Sequence, residues 1–244
     1  QQKMQSSPAT VAAVKSIAYL IDFWPDKQLP MLEEELTQMR RRDVPIVPLV
    51  FRTPTDPALN EAQKSAAQRF EFLPDAMVIE AEWRAHPELA ARLENHRANQ
   101  EYRAPSGLFL QQARYAVALD KTVRRRSIVH VHATSSRTLL TALMLQEMLG
   151  VSVSAAVESS PALAHSFMQH TLMRCVGGRV ADPSMLDRVS SGFMVDRNRL
   201  ASRAAHRLHA MLGFDLTGRA RLWQEWSEQL MRWSANRETD LEHD

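Results

Sequence analysis

The stretch that most constrains the fold runs strand, helix, strand over residues 128–157. Residues 128–133 read Ile-Val-His-Val-His-Ala, an apolar and β-branched run that is typical of a buried strand. Ser135 or Ser136 follows and can accept the free N–H groups of the helix predicted over residues 137–149. Gly150 ends that helix, and residues 151–157 predict a second strand. A strand, a helix and a strand within about 30 residues form a right-handed parallel βαβ unit.

The rest of the chain supplies further strands and helices for the same sheet. Strands are predicted at residues 17–21, 44–51 and 174–181, and residues 76–80 form a short strand or begin a helix. Helical spacing of apolar residues marks segments 29–42, 60–69, 83–97 and 108–126, and residues 70–74 read as a turn. The predicted fold class is α/β, a Rossmann-like parallel sheet of about six strands flanked by helices, with a helical C-terminal tail.

Three segments are predicted along the chain. Residues 1–15 read as a flexible leader, residues 16–192 as the Rossmann-like domain, and residues 193–244 as a helical C-terminal extension. The last helix carries an apolar stripe at helical spacing, made of Leu222, Trp226, Leu230 and Trp233. Such a stripe packs on its own domain or on a partner, for example a second copy of the chain.

Composition excludes several classes of protein. A net charge of +2 over 244 residues is too small to predict a nucleic-acid partner. No apolar run approaches the roughly 20 residues of a membrane span, and the single cysteine, Cys175, excludes an intramolecular disulfide. The chain is therefore predicted to be cytoplasmic. Arginines at positions 124–126, 197, 199, 203 and 207 could meet phosphates or a membrane surface, or simply form solvated helix faces.

Polar side chains cluster where two predicted strands end, which is where α/β sheets bind ligands. His130 and His132 share one face of their strand, and Glu158 follows the next strand. Three interpretations of the histidines stay open: a hydrogen-bonded strand end, an acceptor site, or a metal pair with Glu158 or Asp182 as third ligand. Glu158 is the candidate general base or hydroxyl-binding residue, or else a solvated loop acid.

No cofactor or metal site is predicted. Gly177 and Gly178 are too few to cradle a phosphate, and the dinucleotide-binding and Walker patterns are missing. The glycine pair is expected to let two backbone segments approach closely. Cys175 is interpreted as a core residue of its strand rather than a nucleophile.

Several dispersed motifs carry a resemblance to a known family. Residues 128–133 are similar to Ile-x-His-x-His-Ala, and residues 150–154 (Gly-Val-Ser-Val-Ser) are similar to Gly-x-Pro-x-Ser. Residues 23–35, Phe-Trp-Pro-Asp-Lys-Gln-Leu-Pro-Met-Leu-Glu-Glu-Glu, partly match a Phe-Pro-Lys-x-Ser-Glu-Thr-Phe loop that precedes a helix. Phe-Leu-Pro at residues 72–74 and His86-Pro87 also fit. Over residues 16–191 the chain resembles the N-terminal, acceptor-side domain of family-4-type GT-B glycosyltransferases.

The resemblance implies an acceptor-binding site and also marks departures from the family. The implied acceptor-binding candidates are Asp22, Trp24, His130, His132, Ser135 and Glu158. The family's histidine beside the reacting sugars falls on Glu158, and its aspartate falls near Pro161. Residues beyond about 192 offer no strand and no phosphate loop, so the donor domain is expected to be missing.

Two functions follow from the resemblance. The first is a glycosyltransferase-like protein, the acceptor-side half of an enzyme of polysaccharide or glycoconjugate synthesis, inactive without a donor-domain partner. The second is a non-catalytic pseudo-glycosyltransferase that acts as an interaction or regulatory subunit. Membership of a fold does not by itself establish activity.

Overall fold

A computed structural model describes residues 14–27, 29, 31–98, 103–157, 171–172, 174–180 and 216–235. The strands are β1 (Ser16–Phe23), β2 (Ile46–Arg52), β3 (Glu71–Phe72), β4 (Ile128–Ala133), β5 (Ser152–Val157) and β6 (Gly177–Val180). The helices are α1 (Leu32–Arg41), α2 (Glu61–Ala67), α3 (Ala76–Ala85), α4 (Pro87–Ala98), α5 (Ser106–Arg125), α6 (Ser136–Leu149) and α7 (Leu216–Ala235).

Within the described residues the six strands form one parallel sheet in the order β3-β2-β1-β4-β5-β6. This confirms the predicted Rossmann-like α/β fold. Strands β2 and β3 lie on one side of β1, and β4, β5 and β6 lie on its other side. The direction of strand order therefore reverses between β1 and β4, and a crevice is expected at the carboxyl ends of these two strands.

The local predictions for residues 70–98 need correction. Residues 70–74 are not only a turn, because Glu71 and Phe72 pair with β2 as the short strand β3. For residues 76–80 the alternative of a helix start is confirmed, because they begin α3, which Asp75 caps by accepting the Val78 N–H at 3.0 Å. The single helix predicted over residues 83–97 is broken before Pro87, since a proline disfavours helical geometry at the residue that precedes it.

The central βαβ unit has the predicted form. The Ser135 side chain accepts the Thr138 N–H, and Gly150 ends α6 in the left-handed conformation with φ of 66°. Gly178 packs directly against the backbone oxygen of Ala155, where a Cβ atom would collide. The expected close backbone approach at the glycine pair is therefore confirmed. Cys175 is buried in the core, also as expected.

The sheet has a covered layer on each face. Alternate residues such as Ala18, Leu20 and Val131 face a core formed with α5 and α6. The intervening residues, such as Ile17, Tyr19 and Ile21, face α1 and α7. Both faces of this parallel sheet are thus packed by helices, as the fold class requires.

Helix α7 packs on the chain's own sheet. Trp226 and Leu230 are fully buried there, and the Trp226 indole donates to the Tyr19 hydroxyl at 2.9 Å. Trp233 is half-buried beside them, whereas the side chain of Leu222 lies outside the described residues. Of the two alternatives for this stripe, its own domain or a partner, Trp226 and Leu230 pack on the domain and have no exposed surface for a partner.

The arginines that end α5 are engaged in surface ion pairs. Arg124 contacts Asp120 at 3.3 Å, and Arg125 and Arg126 both contact Glu71. The arginines at 197–207 and the leader residues 1–13 lie outside the described residues. Among the helices that the structure describes, none combines the length and the apolar character needed to cross a bilayer.

Candidate functional site

An acid and two arginines converge at the carboxyl edge of the sheet. Asp22 lies in β1, Arg52 ends β2, and Arg137 lies in the first turn of α6, directly after β4. The Asp22 carboxylate is 2.8 Å from the Arg52 guanidinium and 4.0 Å from Arg137 Nε. Asp22 is 14% exposed, whereas the two arginine side chains are 41% and 42% exposed. A largely buried carboxylate thus holds two guanidinium groups that open to solvent.

The exposed parts of this edge group are its two guanidinium groups and the ring of Phe23. Arg137 donates to Gln111 at 3.0 Å, and the Arg52 guanidinium lies 5.8 Å from the centre of the Phe23 ring. Asp22 Oδ1 is buried and has no hydrogen-bond partner among the described residues. Guanidinium donors and an aromatic face can bind the hydroxyls and ring of a sugar.

A cavity of about 600 Å³ with a mixed polar and apolar lining lies between the β1–α1 loop and the start of α2. Its size falls within the roughly 300–1,000 Å³ of small-molecule sites. It is lined by Pro25, Asp26, Lys27, Leu29, Glu33, Ala58, Asn60, Ala62 and Gln63. We call it the carboxyl-edge cavity, because the loop and the helix that border it both follow strand ends.

Local hydrogen bonds fix the walls of the carboxyl-edge cavity. Asn60 caps α2 by accepting the Gln63 N–H at 2.8 Å, and the Gln63 side chain accepts the Asn60 N–H at 3.0 Å. The Trp24 indole donates to Glu33 at 3.1 Å and packs edge-on against Phe70. Trp24, a predicted acceptor contact, is only 2% exposed, so it acts here by holding the lining carboxylate of Glu33.

The two predicted histidines are buried in a hydrogen-bonded cluster. Ser154 Oγ lies 2.8 Å from His130 Nε2 and 2.8 Å from His132 Nδ1, and Ser152 Oγ lies 2.7 Å from His130 Nδ1. The Ser154 hydroxyl therefore bridges the two rings, and the tautomer of each imidazole sets which atom donates. Burial lowers the pKa of His130 to about 3 and holds the pKa of His132 well below its usual range. Both rings are therefore neutral at physiological pH.

Helix α7 closes this cluster from solvent. Trp233 stacks on His130 with ring centres 5.6 Å apart, and Trp226 meets His132 edge-on at 5.2 Å. His130 and His132 are fully buried, so a ligand could contact either ring only after α7 moved. His132 Nε2 has no hydrogen-bond partner in the part of the chain that the structure describes.

A buried ion pair completes the polar groups on this face. Glu35 of α1 lies 3.1 Å from Arg179 of β6, and both side chains are almost fully buried. Burial, followed by the charge of Glu35, raises the pKa of the Tyr19 hydroxyl, which therefore stays protonated. No group of three metal-ligating side chains occurs within the described residues.

The remaining predicted site residues are Ser135 and Glu158, and of these Ser135 is not part of the histidine cluster or of the cavity lining. Ser135 is engaged as the cap of α6, its hydroxyl 3.0 Å from Thr138 Oγ1. Glu158, the candidate catalytic residue, lies outside the described residues, as does Asp182. Sequence reasoning did not single out Arg52, Arg137 or Asp26 as site residues. Their position in the sequence could have indicated them, since each lies at the end of a predicted strand or a few residues after it.

No family model matches the sequence, and no curated protein matches it. One solved structure with some similarity is UGT2 of Phytolacca americana, complexed with UDP-2fluoro-glucose and pterostilbene. The identity is 11% and the TM-score 0.39, over 78% of this chain. The match spans 53% of that protein, about half its length. These comparisons assign no family, and a likeness this weak carries no functional argument.

Proposed function

We propose that this chain is a glycosyltransferase-like protein, the acceptor-binding half of a transferase for polysaccharide or glycoconjugate synthesis. The observation that carries the proposal is the carboxyl-edge cavity, which is about 600 Å³ in volume, is bordered by the loop that follows β1, and has charged and amide side chains among its lining residues. Ligands of open α/β sheets bind outside the carboxyl ends of the strands.

The chemistry of the cavity favours a neutral, hydroxyl-rich ligand. Asp26 and Glu33 supply carboxylate acceptors, and Lys27 supplies an ammonium donor. Opposite charges on one wall suit a ligand that donates and accepts hydrogen bonds but carries no net charge. An apolar cavity of about 150 Å³ holds benzene, so about 600 Å³ accommodates one or two sugar rings.

The motifs in the sequence support the same reading. Residues 23–35, which resemble the family's first loop and helix, supply five of the cavity-lining residues: Pro25, Asp26, Lys27, Leu29 and Glu33. The segment that resembles the family therefore forms part of the wall of the cavity. The remaining candidate contacts to the same acceptor are Asp22, Ser135 and Glu158. The proposed location is the cytoplasm, and the membrane periphery if the acceptor is linked to a lipid.

Sugar transfer by this chain alone is not part of the proposal. The donor sugar would come from a partner chain, since such transferases react their substrates between two domains. The alternative function is a non-catalytic pseudo-glycosyltransferase acting as an interaction or regulatory subunit. Its support is the burial of the family-like histidines, His130 and His132, beneath α7.

Glycan binding tests the proposal directly. A panel of neutral oligosaccharides is screened on an array, and a ligand found there is titrated against Asp26→Asn and Lys27→Met. We expect each substitution to weaken binding about tenfold, because each removes a hydrogen bond to a charged group. Lys64→Met is the matched control, since Lys64 is an exposed cation of α2 that does not line the cavity.

The two functions differ in what the screen returns. Binding of a glycan that Asp26→Asn weakens and Lys64→Met does not would support the acceptor-binding half. No binding of any glycan, together with co-purification of a defined protein partner, would support the pseudo-glycosyltransferase. A shift in melting temperature with a nucleotide sugar would contradict both, because it would reveal a donor site on this chain.

A further inference from the structure

A second cavity opens at the opposite end of α1 and α2. It has a volume of about 280 Å³ and lies over the first half of β2. The space exists because α2 runs for only seven residues, Glu61–Ala67, and buries none of them. A longer crossover helix would cover this part of the sheet. We call the space the amino-edge cavity, because β2 begins beneath it.

The interior of the amino-edge cavity is apolar. Val44, Ile46 and Pro48 form its floor along the start of β2, and Leu36 of α1 and Ala66 of α2 form facing walls. Val44 and Pro48 are buried, while the others are partly buried. The volume is about twice that of a cavity that holds benzene. It therefore fits a fused pair of rings or the end of an alkyl chain.

Two arginines stand at this cavity. Arg40 comes from the last turn of α1 and Arg69 follows the end of α2, and both side chains are exposed. Within the described part of the chain, neither guanidinium makes a hydrogen bond or an ion pair. An apolar interior beside two unpaired guanidinium groups is complementary to a molecule with an apolar tail and an anionic head.

We propose that the amino-edge cavity binds a single-chain anionic amphiphile, its hydrocarbon tail between Leu36 and Ala66 and its carboxylate or phosphate head against Arg40 and Arg69. This site is independent of the proposed acceptor function. It lies at the other edge of the sheet and shares no lining residue with the carboxyl-edge cavity.

Sodium decanoate, below its micelle concentration, is the probe. Calorimetric titration of the full chain measures affinity, and methyl NMR shifts of Leu36, Val44 and Ile46 locate the bound chain. We expect saturable binding that shifts these three methyl groups. The neutral 1-decanol, with the same chain length, is expected to bind more weakly, and salt is expected to weaken only the decanoate.

Substitutions separate the cavity from the charges. Ala66→Trp places an indole in the cavity and is expected to abolish decanoate binding. Because α2 buries no residue, this variant is expected to fold, and its thermal unfolding is the check. Arg40→Gln and Arg69→Gln are each expected to weaken binding about three- to fivefold. Arg41→Gln is the matched control, since Arg41 is exposed beside Arg40 but does not line the cavity.

Three results would overturn the proposal. The first is the absence of saturable decanoate binding to the wild-type chain. The second is equal binding of decanoate and decanol with no effect of either arginine substitution, which would leave the head-group assignment wrong. The third is decanoate binding that Ala66→Trp leaves unchanged, which would place the ligand elsewhere.

A membrane surface is the other source of anionic head groups, and a further arm distinguishes it. The wild-type chain and Ala66→Trp are sedimented with vesicles of phosphatidylglycerol and phosphatidylcholine. Sedimentation lost in Ala66→Trp would support insertion of a chain into the cavity. Sedimentation that is retained in Ala66→Trp but lost in the arginine variants would assign the arginines to the membrane surface and overturn the proposal.

Discussion

The two cavities border the same pair of helices and differ in the charged groups that line them. The carboxyl-edge cavity, at the start of α1 and α2, is lined by two acids, two amides and a lysine beside four apolar residues. The amino-edge cavity, at the ends of the same helices, is lined by apolar side chains and two arginines. Glu33 and Arg40 lie two turns apart on α1, yet they line different cavities and carry opposite charges.

Helix direction accounts for this difference. Acids are favourable near the positive N-terminus of a helix and bases near its negative C-terminus. In α1 the first turn carries Glu33, Glu34 and Glu35, and the last turn carries Arg40 and Arg41. A parallel sheet aligns all its crossover helices, so their N-termini collect at the carboxyl edge. In α1, the rule that stabilises the helix therefore places acids near the carboxyl-edge cavity and Arg40 at the amino-edge cavity.

The largest expected effect comes from the ion pair that anchors α1 between the cavities. Removing one partner of a buried pair leaves an uncompensated charge, which costs about 3–5 kcal/mol. We therefore expect Glu35→Gln to lower the free energy of unfolding by that amount, since it removes the carboxylate that lies 3.1 Å from the buried Arg179 guanidinium. Urea unfolding measures the loss.

Two further variants make that test specific. Glu34→Gln changes the neighbouring acid on a more exposed side of α1, and its expected cost is below about 1 kcal/mol. Replacing both partners, with Glu35→Met and Arg179→Met together, is expected to recover much of the stability. Equal effects of Glu35→Gln and Glu34→Gln would show that the pair does not anchor α1.

The histidines beneath α7 are buried from solvent, whereas the carboxyl-edge cavity is open to it. The pH dependence of the free energy of unfolding tests that burial. The pKa of His130 is lowered to about 3, so between pH 6.5 and 3 the unfolded chain binds a proton that the folded chain does not. Stability therefore falls with falling pH. Relative to pH 7, we expect His130 alone to remove about 2 kcal/mol by pH 5, and His132 acts in the same direction.

Unfolding in urea at a series of pH values measures this dependence. His130→Gln keeps a polar side chain that can bond to Ser152 or Ser154, and it is expected to flatten the pH profile. His96→Gln is the control, because His96 is partly exposed beside Glu147. A wild-type profile that is flat from pH 7 to 5 would mean that solvent reaches the histidines.

A smaller effect is expected from the wall of the carboxyl-edge cavity. Glu33→Gln replaces the charged acceptor of the Trp24 indole by a neutral one and should cost about 1 kcal/mol of stability. It should weaken glycan binding and leave decanoate binding unchanged. Parallel titrations with both ligands check this, and a loss of decanoate affinity would break the separation of the two cavities.

The smallest effect is expected at the amino edge. Arg40 is exposed and its guanidinium is unpaired among the described residues, so Arg40→Gln should change the unfolding free energy by less than about 0.5 kcal/mol. The substitution should weaken the binding of decanoate and leave the binding of the glycan unchanged. A variant that loses glycan binding instead would show that the two cavities are coupled.

The sequence was sufficient for the features that are local. The Gly150 helix end and the buried strand β4 each depend on a few neighbouring residues and have the predicted form, and of the two serines that could cap α6, Ser135 does so. Strand β3 was missed because two residues carry no periodicity, and their pairing depends on β2.

The candidate site was harder to predict because the burial of its residues and the walls of its cavities depend on segments far apart in the sequence. His130 and His132 were rightly placed on one strand face, but helix α7, about a hundred residues later in the sequence, buries them. The amino-edge cavity depends on the short length of α2, which composition did not reveal. Asp26 and Lys27 read as ordinary loop residues until α2 folds opposite them.

The most direct test of acceptor binding uses the tryptophan indole N–H signals in an NMR titration with the best glycan from the array. The Trp24 indole is bonded to Glu33 on the cavity wall, whereas the Trp226 indole is bonded to Tyr19 in the core. The account predicts a saturable shift of the Trp24 signal while the Trp226 signal stays in place. A glycan that shifts Trp226 and leaves Trp24 unmoved would place the acceptor beneath α7 and contradict it.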